Sequence, residues 1–467
     1  MSCAMAISLK ADQDILVTLI PRLLRNLAYI LVRLVPLVLV LLCVLASPGL
    51  AADENEEDVA PIVPTEPLKF DDALRLTLQQ SPQLVSSAVE IKVKRLDVWD
   101  TRADLLPDFY LTSNIRLNNP DDRTSKPFSF NFSFGSYDPI RAYFSIESKQ
   151  LLTDYAVLEH LSVIDDVFGS IGKVYMTLNF LDKLKQNYVK GVELANQNKA
   201  FATKRYNEGW GLALDVLIAD KALKEAQQKR DQADSDRLVA LDRLKGFLGL
   251  MPEQAVTLDL KDARKQLLRD FDFRNVSLEY AIENSIELKQ RRIDVLLQKD
   301  KLTLAYAKYF PQYSFGINRE YSSRSNNDVY MATIGFVVPL WDWGERYRNV
   351  VREKRGIRKV RAEYRTKTLE FRSDFLDMRN DALKLATNLK LAHNEAEIDA
   401  LKKQKAEIQF KSGSLPFPEY IGALQDSLSA RTVLLSKEFE YDLKLFEFRK
   451  FTGHLYTSYV DAAQYSH

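Results

Sequence analysis

The chain has almost no cysteine. Its 467 residues include two, Cys3 and Cys43, and both lie within the first 50 residues. If that segment is a leader that is removed, the mature chain offers no disulfide, reactive thiol or cysteine-bound zinc. The four histidines show no metal-ligand spacing, and no phosphate-binding loop or nucleophile motif occurs. We therefore predict no cofactor, no metal site and no enzymatic activity.

Net charge, glycine and proline are scarce as well. The 65 basic and 64 acidic residues leave a net charge of +1, and removal of residues 1–51 would leave −1. Such a balance gives no electrostatic footprint for nucleic acid, so no nucleic-acid partner is expected. Only 16 glycines and 16 prolines interrupt the chain. Long stretches without turn signals predict long helices rather than compact domains.

The N-terminal segment has the pattern of a secretion signal. Four basic residues precede an apolar run at 34–45, and small residues follow at Gly49 and Ala51, which predicts a signal peptide over residues 1–51. A transmembrane anchor is the alternative, but a span needs about 20 apolar residues, and Arg33 and Pro36 interrupt this one. Residues 52–69 are acidic and proline-containing, which predicts a disordered linker.

The rest of the chain is a duplication with an offset of about 205 residues. Segments that correspond between the copies are 70–74 with 277–281, 106–107 with 310–311, 205–209 with 409–413, and 247–249 with 451–453. These matches predict a first structural repeat at 70–250 and a second at 277–453. Residues 251–276 are then an inter-repeat linker, and residues 454–467 a flexible C-terminal tail.

Each repeat combines a strand hairpin with a helical hairpin. Period-two alternation after Pro107 and Pro311 predicts strands at about 109–118 and 312–321, with return strands at about 141–149 and 330–338. The alternating segment 128–134 is either an extension of a strand or an aromatic girdle or extracellular loop. Each hairpin precedes a proline-free helical run, at 155–208 and at 345–412. Runs of this length would extend roughly 80 to 100 Å.

Short motifs add a family resemblance to this pattern. Pro339, Leu340, Trp341, Asp342, Trp343 and Gly344 form a strand-to-helix motif, with a degenerate first-copy form at 150–155. Gly209 and Gly413 begin the turns at the tips of the long helical hairpins. In order and in duplication these elements resemble the TolC-like outer membrane efflux protein family, over residues 70–453.

The resemblance implies a mainly helical fold with a membrane β-barrel. Members are obligate homotrimers, in which each chain gives four strands to one 12-stranded barrel in outer membrane lipid. The helices form a hollow periplasmic α-helical barrel. Closure by three chains also has a physical reason, since two isolated strand hairpins would leave open sheet edges in lipid.

The implied function is a passive exit duct of a tripartite efflux or type I secretion system. An inner-membrane RND or ABC transporter would drive it through a periplasmic adaptor protein. The alternative is a secreted structural coiled-coil protein without a pore. A coiled coil has no use for the period-two segments, which favours the duct.

In a barrel, the polar row of each strand faces the water-filled lumen and the apolar row faces lipid. A soluble sheet packed on a core is the alternative. The predicted lumen residues are Tyr110, Thr112, Asn114, Arg116, Tyr143, Ser145 and Glu147.

The resemblance also implies a periplasmic gate at the hairpin tips. Asp215 and Glu419, each six residues beyond a tip glycine, match the acidic gate positions of the family. Asp215 could instead serve as a helix cap after the turn. Leu415 stands where the family has a basic latch residue, and Gly422 where it has a second ring of acidic residues. We therefore expect the gate to be held differently in this chain. Trp341 and Trp343 suit a membrane interface, with core packing as the alternative.

Overall fold

The computed structural model describes residues 67–108, 110–115, 128–260, 262–269, 271–322 and 327–459. The predicted signal peptide, residues 52–66 of the predicted linker, and residues 460–467 lie outside these ranges. Arg116, one of the predicted lumen residues, also lies outside them.

Two copies of one unit make up the described chain. The first copy consists of α1 (Phe70–Gln80), α2 (Pro82–Ala103), β1 (Tyr110–Ile115), β2 (Phe128–Tyr137), α3 (Pro139–Asn207) and α4 (Ala213–Phe247). The second consists of α6 (Leu278–Asn284), α7 (Ile286–Ala307), β3 (Gln312–Ser322), β4 (Asn327–Val337), α8 (Glu345–Lys411) and α9 (Phe417–Phe451). Helix α5 (Ala263–Leu268) lies between the copies, and a 3-10 helix (Tyr456–Ser458) follows them.

A serine separates the two helices at the start of each copy. Ser81 stands between α1 and α2 in an extended conformation, and Pro82 occupies the first helical position, where a missing N–H costs nothing. In the second copy, Ser285 Oγ accepts a hydrogen bond of 3.3 Å from the Leu288 N–H and so caps α7. The same break therefore recurs in both copies with different capping chemistry.

The long helices pack side by side as a wall. Toward the strands, the contacts give the order α2, α3, α7, α8; toward the hairpin tips they give α4, α3, α9, α8. Helices α3 and α8 are 69 and 67 residues long and run through both halves. None of the helices in the described ranges has an apolar stretch of the length and hydropathy that a bilayer crossing needs.

The hydrophobic core lies midway along these helices. Phe168 and Tyr175 of α3 and Phe446 and Phe448 of α9 are fully buried there, in one cluster that includes residues of both repeats. The Phe70 ring packs edge-on against Tyr175 at 5.6 Å between centroids. The two copies thus share one core and depend on each other for burial.

The four strands form one antiparallel sheet in the order β1, β2, β3, β4. Strands β3 and β4 form a hairpin whose pairs run from Gln312 with Val337 to Ser322 with Asn327. Strand β2 pairs with β3, which joins the hairpins of the two repeats, and the register shifts between Phe134 and Tyr137. The mainly helical fold with a duplicated helix, strand hairpin and long helical hairpin is thereby confirmed.

The prediction of a return strand at 141–149 is wrong. The return strand is β2, and Tyr143, Ser145 and Glu147 lie on the first turns of α3. The reason is local: Pro139 stands at the start of α3, and Asp138 Oδ1 accepts a hydrogen bond of 2.9 Å from the Arg141 N–H. The segment 128–134 is therefore strand, as one of its two readings proposed.

The two predicted linkers and the predicted C-terminal tail pack against the core where the structure describes them. Leu68, in the predicted linker, is buried and forms a parallel bridge with Leu258. Within 251–276, Leu267 of α5 is fully buried. In the predicted tail, Tyr456 is buried and its hydroxyl donates to the Asn284 carbonyl at 2.7 Å. These segments wrap the shared core, which the repeat pattern did not indicate.

Candidate functional site

The polar row of β1 continues across the whole sheet. Residues directly opposite one another in an antiparallel ladder lie on the same face. The rows through the predicted lumen positions are Tyr110, Ser133, Gly316 and Thr333; Thr112, Asn131, Asn318 and Met331; and Asn114 with Ser129. Tyr110 and Thr112 are exposed to solvent. Small and polar residues thus predominate on one face.

The opposite face of the hairpin β3–β4 is apolar. On this face Phe315 is paired with Ile334. The next residues of β3 on the same face, Tyr313 and Ile317, are paired with Phe336 and Ala332. Ile334 is 79% exposed and Phe336 70% exposed. A soluble sheet would bury this face on a core, so the exposure does not support that alternative.

The strand-to-helix motif forms a tight turn between β4 and α8. Asp342 accepts hydrogen bonds from the N–H of Gly344 at 3.1 Å and of Arg346 at 2.9 Å, and the Arg346 side chain approaches it at 2.8 Å. The backbone hydrogen bond from Arg346 is the main cause that lowers the pKa of Asp342. Trp343 and Gly344 both have positive φ, of 55° and 77°. The glycine is suited to this conformation, whereas the tryptophan is strained.

Three large apolar side chains of this turn are unburied. Leu340, Trp341 and Trp343 are 88%, 77% and 82% exposed, and the two indole rings touch edge-on at 5.9 Å. Packing into the core of this chain, the alternative for the tryptophans, is therefore excluded. Their proposed place at a membrane interface is compatible with their position just beyond the sheet.

The two hairpin tips have the same backbone. Gly209 and Gly413 have φ of 79° and 76°. Directly after them, the Trp210 N–H donates to the Arg205 carbonyl and the Ser414 N–H to the Gln409 carbonyl, both at 2.9 Å. This is the Schellman arrangement, in which a left-handed glycine ends the helix. Its recurrence 204 residues later follows the offset of the duplication.

The predicted gate residues lie in the first turns of the helices that leave these tips. Asp215 is exposed, and from the first turn of α4 its Oδ2 accepts a hydrogen bond of 3.3 Å from the N–H of Leu212, which occupies the N-cap position. Glu419 is exposed in the first turn of α9. Leu415 is half-buried. The capping contact leaves the Asp215 charge exposed, so it is compatible with a gate role.

An aromatic cluster that the sequence pattern did not indicate joins the two tips. Phe410 stacks on Tyr420 at 4.6 Å between centroids, and Phe417 lies 5.9 Å from Phe410. Phe201 of the first hairpin approaches Phe417 at 4.2 Å. These four rings hold one helical hairpin against the other near the position of the absent basic latch residue. The sequence does contain a signal for this cluster: Phe417 follows Gly413 by four residues, and Phe201 precedes Gly209 by eight.

Part of the chain matches a known protein family, and its fold matches solved structures. Residues 73–250 match the family model described as "Outer membrane efflux protein". No curated protein matched the sequence. Solved structures match across most of the chain.

Three similar structures are outer membrane proteins. CmeC, an outer membrane channel of Campylobacter jejuni, has a TM-score of 0.66 and 14% identity, covering 85% of this chain and 88% of its own. The outer membrane protein VceC of Vibrio cholerae has a TM-score of 0.64 and 13% identity, covering 83% and 95%. The open MtrE outer membrane channel of Neisseria gonorrhoeae has a TM-score of 0.65 and 14% identity, covering 82% and 88%.

The fold and the exposed two-faced sheet therefore define a channel-type outer membrane protein. The predicted resemblance to the TolC-like outer membrane efflux protein family is confirmed by this match over residues 73–250. Its location in the outer membrane, with helices that extend into the periplasm, is confirmed by this family. Members of this family are channels and not enzymes, which confirms the prediction that the protein is not an enzyme. The same finding disfavours the alternative of a structural coiled-coil protein without a pore.

Proposed function

We propose that three copies of this chain close into the passive exit duct of a tripartite efflux or type I secretion system. The observation that carries the proposal is the open edge on each side of the protomer. Among the strands that the structure describes, β1 and β4 each have one unpaired side. Unpaired strand edges are not tolerated in lipid, and a ring of copies removes every one of them.

The helical wall supports the same closure. Helix α8 is at one edge of the wall, while α2 and α4 are at the other edge in its two halves. A copy added beside β4 would also place its α2 and α4 next to α8. Sheet and wall would therefore close around the same axis, as a 12-stranded barrel above an α-helical barrel.

In this assembly the polar rows through Tyr110, Thr112 and Asn114 line the lumen, and the apolar face of β3–β4 contacts outer membrane lipid. Asp215 and Glu419 form acidic rings at the periplasmic entrance, because three-fold symmetry brings three copies of each carboxylate to one constriction. The aromatic cluster at the tips takes over part of the holding role that a basic latch residue has in the family.

The tips also offer a docking surface for the periplasmic adaptor. Trp210, Leu212, Leu214 and Leu217 are 78%, 67%, 61% and 66% exposed around the first tip. Apolar exposure of this kind is typical of interaction sites. The adaptor would connect the duct to an inner-membrane transporter of the RND or ABC class.

Two measurements test the proposal. Purified from outer membranes, the protein should have the molar mass of a trimer that dissociates on heating, and it should produce single-channel currents in planar bilayers. A monomer, or a trimer without currents, would refute the duct.

A photo-reactive residue at Leu217 tests the coupling. We expect it to cross-link an inner-membrane-anchored adaptor in cells, whereas the same residue at Leu376, which is 47% exposed midway along α8, should not. Equal cross-linking from both positions would argue against docking at the tips.

A further inference from the structure

The strand-proximal part of α8 is strongly basic. Residues 345–367 contain ten basic and three acidic residues, although the whole chain is nearly neutral. The corresponding segment of the first copy, 141–163, contains two basic and three acidic residues. The charge is therefore a property of this one helix segment and not of the repeated unit.

The basic side chains form two rows. The first basic row consists of Lys354, Arg358, Arg361 and Arg365. The second basic row consists of Arg348, Arg352, Arg355 and Lys359. In both rows the steps are four, three and four residues, so each row follows one side of the helix. All eight side chains belong to exposed residues.

The contact with α7 fixes the orientation of these rows. Glu353 Oε2 accepts a hydrogen bond of 2.5 Å from Gln298 Nε2, and Gly356 lies close against the same glutamine side chain. Val350 is buried, and Lys367 Nζ lies 3.5 Å from Glu287 of α7. At 3.6 residues per turn, the two basic rows lie about 120° to either side of this contact.

A helix in a wall has a neighbour on each side and two free faces. Because α7 covers one side of α8, the rows on its two flanks belong to opposite faces of the wall. One face of a closed wall is the lumen. Whichever face that is, a basic row lies on it.

Carboxylates do not neutralise the first row. Within the described residues, Arg358, Arg361 and Arg365 have no carboxylate within the 4.0 Å of an ion pair, and Lys354 lies 5.8 Å from the Tyr306 ring centroid. In the second row, Lys359 pairs with Glu363 at 3.7 Å, while Arg348 donates to the Trp343 carbonyl. Both rows thus keep most of their positive charge for solvent or solute.

We infer that the strand-proximal half of the duct is a positively charged lumen that selects anionic solutes, such as polycarboxylates or organic phosphates. The inference rests on the proposed duct. In a trimer, one row supplies twelve cationic groups over about 16 Å of lumen length. At 0.1 M salt the Debye length is about 10 Å, so neighbouring charges act together on a multivalent anion, and 1 M salt screens them.

Block by tripolyphosphate in planar bilayers tests this inference. The anion is added on the side of the sheet opposite the helices, because the basic segment begins just beyond β4, far from the acidic tips. We expect it to block the parent channel in 0.1 M KCl and much less in 1 M KCl. Matched variants neutralise one row each, with glutamine in place of all four residues of that row.

The two variants control for one another. Neutralising the lumen row should raise the half-blocking concentration at least ten-fold, and neutralising the outer row should change it less than two-fold. Trimer yield should be unchanged in both, since exposed substitutions have little effect on stability. If a conducting parent channel is not blocked, or if both variants keep the parent's sensitivity, the positively charged lumen is refuted and the duct is not. An absence of any current would instead refute the duct itself.

Discussion

At the scale of single residues, Asp165 is the most unusual group in the shared core. It is 9% exposed, and its Oδ1 has no hydrogen-bond partner among the described residues. Lys450 of α9 lies 4.0 Å from Asp165 Oδ2 but is closer to Asp166, at 2.5 Å. Burial raises the pKa of Asp165 to about 7, opposed by Lys450 and reinforced by Asp166.

The raised pKa has a consequence for stability. The folded chain favours the protonated carboxyl of Asp165. The contribution of this group to the free energy of unfolding is therefore fully present below the unfolded pKa of about 3.9 and is lost as pH rises toward 7. Asp165→Asn should therefore stabilise the protein by about 2–4 kcal/mol at pH 8 and have little effect at pH 4. Thermal unfolding of the trimer in detergent at both pH values measures the difference.

Asp166→Asn is the matched control for that experiment. The Asp166 side chain is 69% exposed, so its neutralisation should shift the midpoint of unfolding by little at either pH. If Asp165→Asn destabilises the protein at pH 8, the carboxylate is stabilised by Lys450 more strongly than burial penalises it, and the assignment of a raised pKa is wrong.

At the scale of elements, the constant offset of the duplication located corresponding helix starts more accurately than the short motifs did. Asp342 accepts a hydrogen bond from the Arg346 N–H at the start of α8, and 204 residues earlier Asp138 accepts one from the Arg141 N–H at the start of α3. The degenerate counterpart at 150–155 is wrong, because those residues lie inside α3. Sequence similarity placed the first-copy motif at 150–155, whereas the 204-residue spacing of the two aspartates places it at Asp138.

Period-two patterns were reliable where they were uninterrupted. The sequence predicted β3 and β4 to within a few residues, and it misplaced β2 because aromatic alternation at 128–134 resembled an interfacial loop. The packed segments around α5 and Tyr456 could not be predicted, since they have no repeat counterpart. Their burial depends on a core that forms only when both copies meet.

The two faces of β4 lead to a prediction about membrane burial. Ile334 and Thr333 are adjacent in one strand, and they pair with Phe315 and Gly316 on opposite faces of the sheet. Ile334→Arg should reduce trimer yield in the outer membrane, because a charge at the bilayer midplane costs about 2–4 kcal/mol. Thr333→Arg should leave the yield unchanged and alter conductance.

Trimer content of outer membranes, measured on unheated gels, compares these two substitutions. Because they differ by one position in the same strand, depth in the membrane is nearly matched between them. Equal yields would show that the apolar face of β3–β4 does not contact lipid.

At the scale of the whole molecule, the proposed duct has opposite charge at its two ends. The basic rows of α8 lie near the sheet, while Asp215 and Glu419 lie at the tips about 80 Å further along the helices. Anionic solutes would be repelled at an acidic entrance unless the tips open or cations neutralise it. The same acidic rings would oppose backflow into the periplasm, because anions that move from the basic half of the lumen toward the tips are repelled there.

The last prediction concerns the acidic entrance. Replacing Asp215 with Asn and Glu419 with Gln removes six charges per trimer but keeps an oxygen acceptor for the Leu212 N–H, so the cap of α4 survives. Hexaamminecobalt(III), added on the periplasmic side of planar bilayers, should block the parent channel by binding the two rings. The double variant should need at least ten-fold more cation for half-block. The control is Asp236→Asn with Glu397→Gln, which removes the same charge from exposed positions away from the tips. If the control and the double variant lose block equally, the carboxylates at the tips are helix caps and the constriction lies elsewhere.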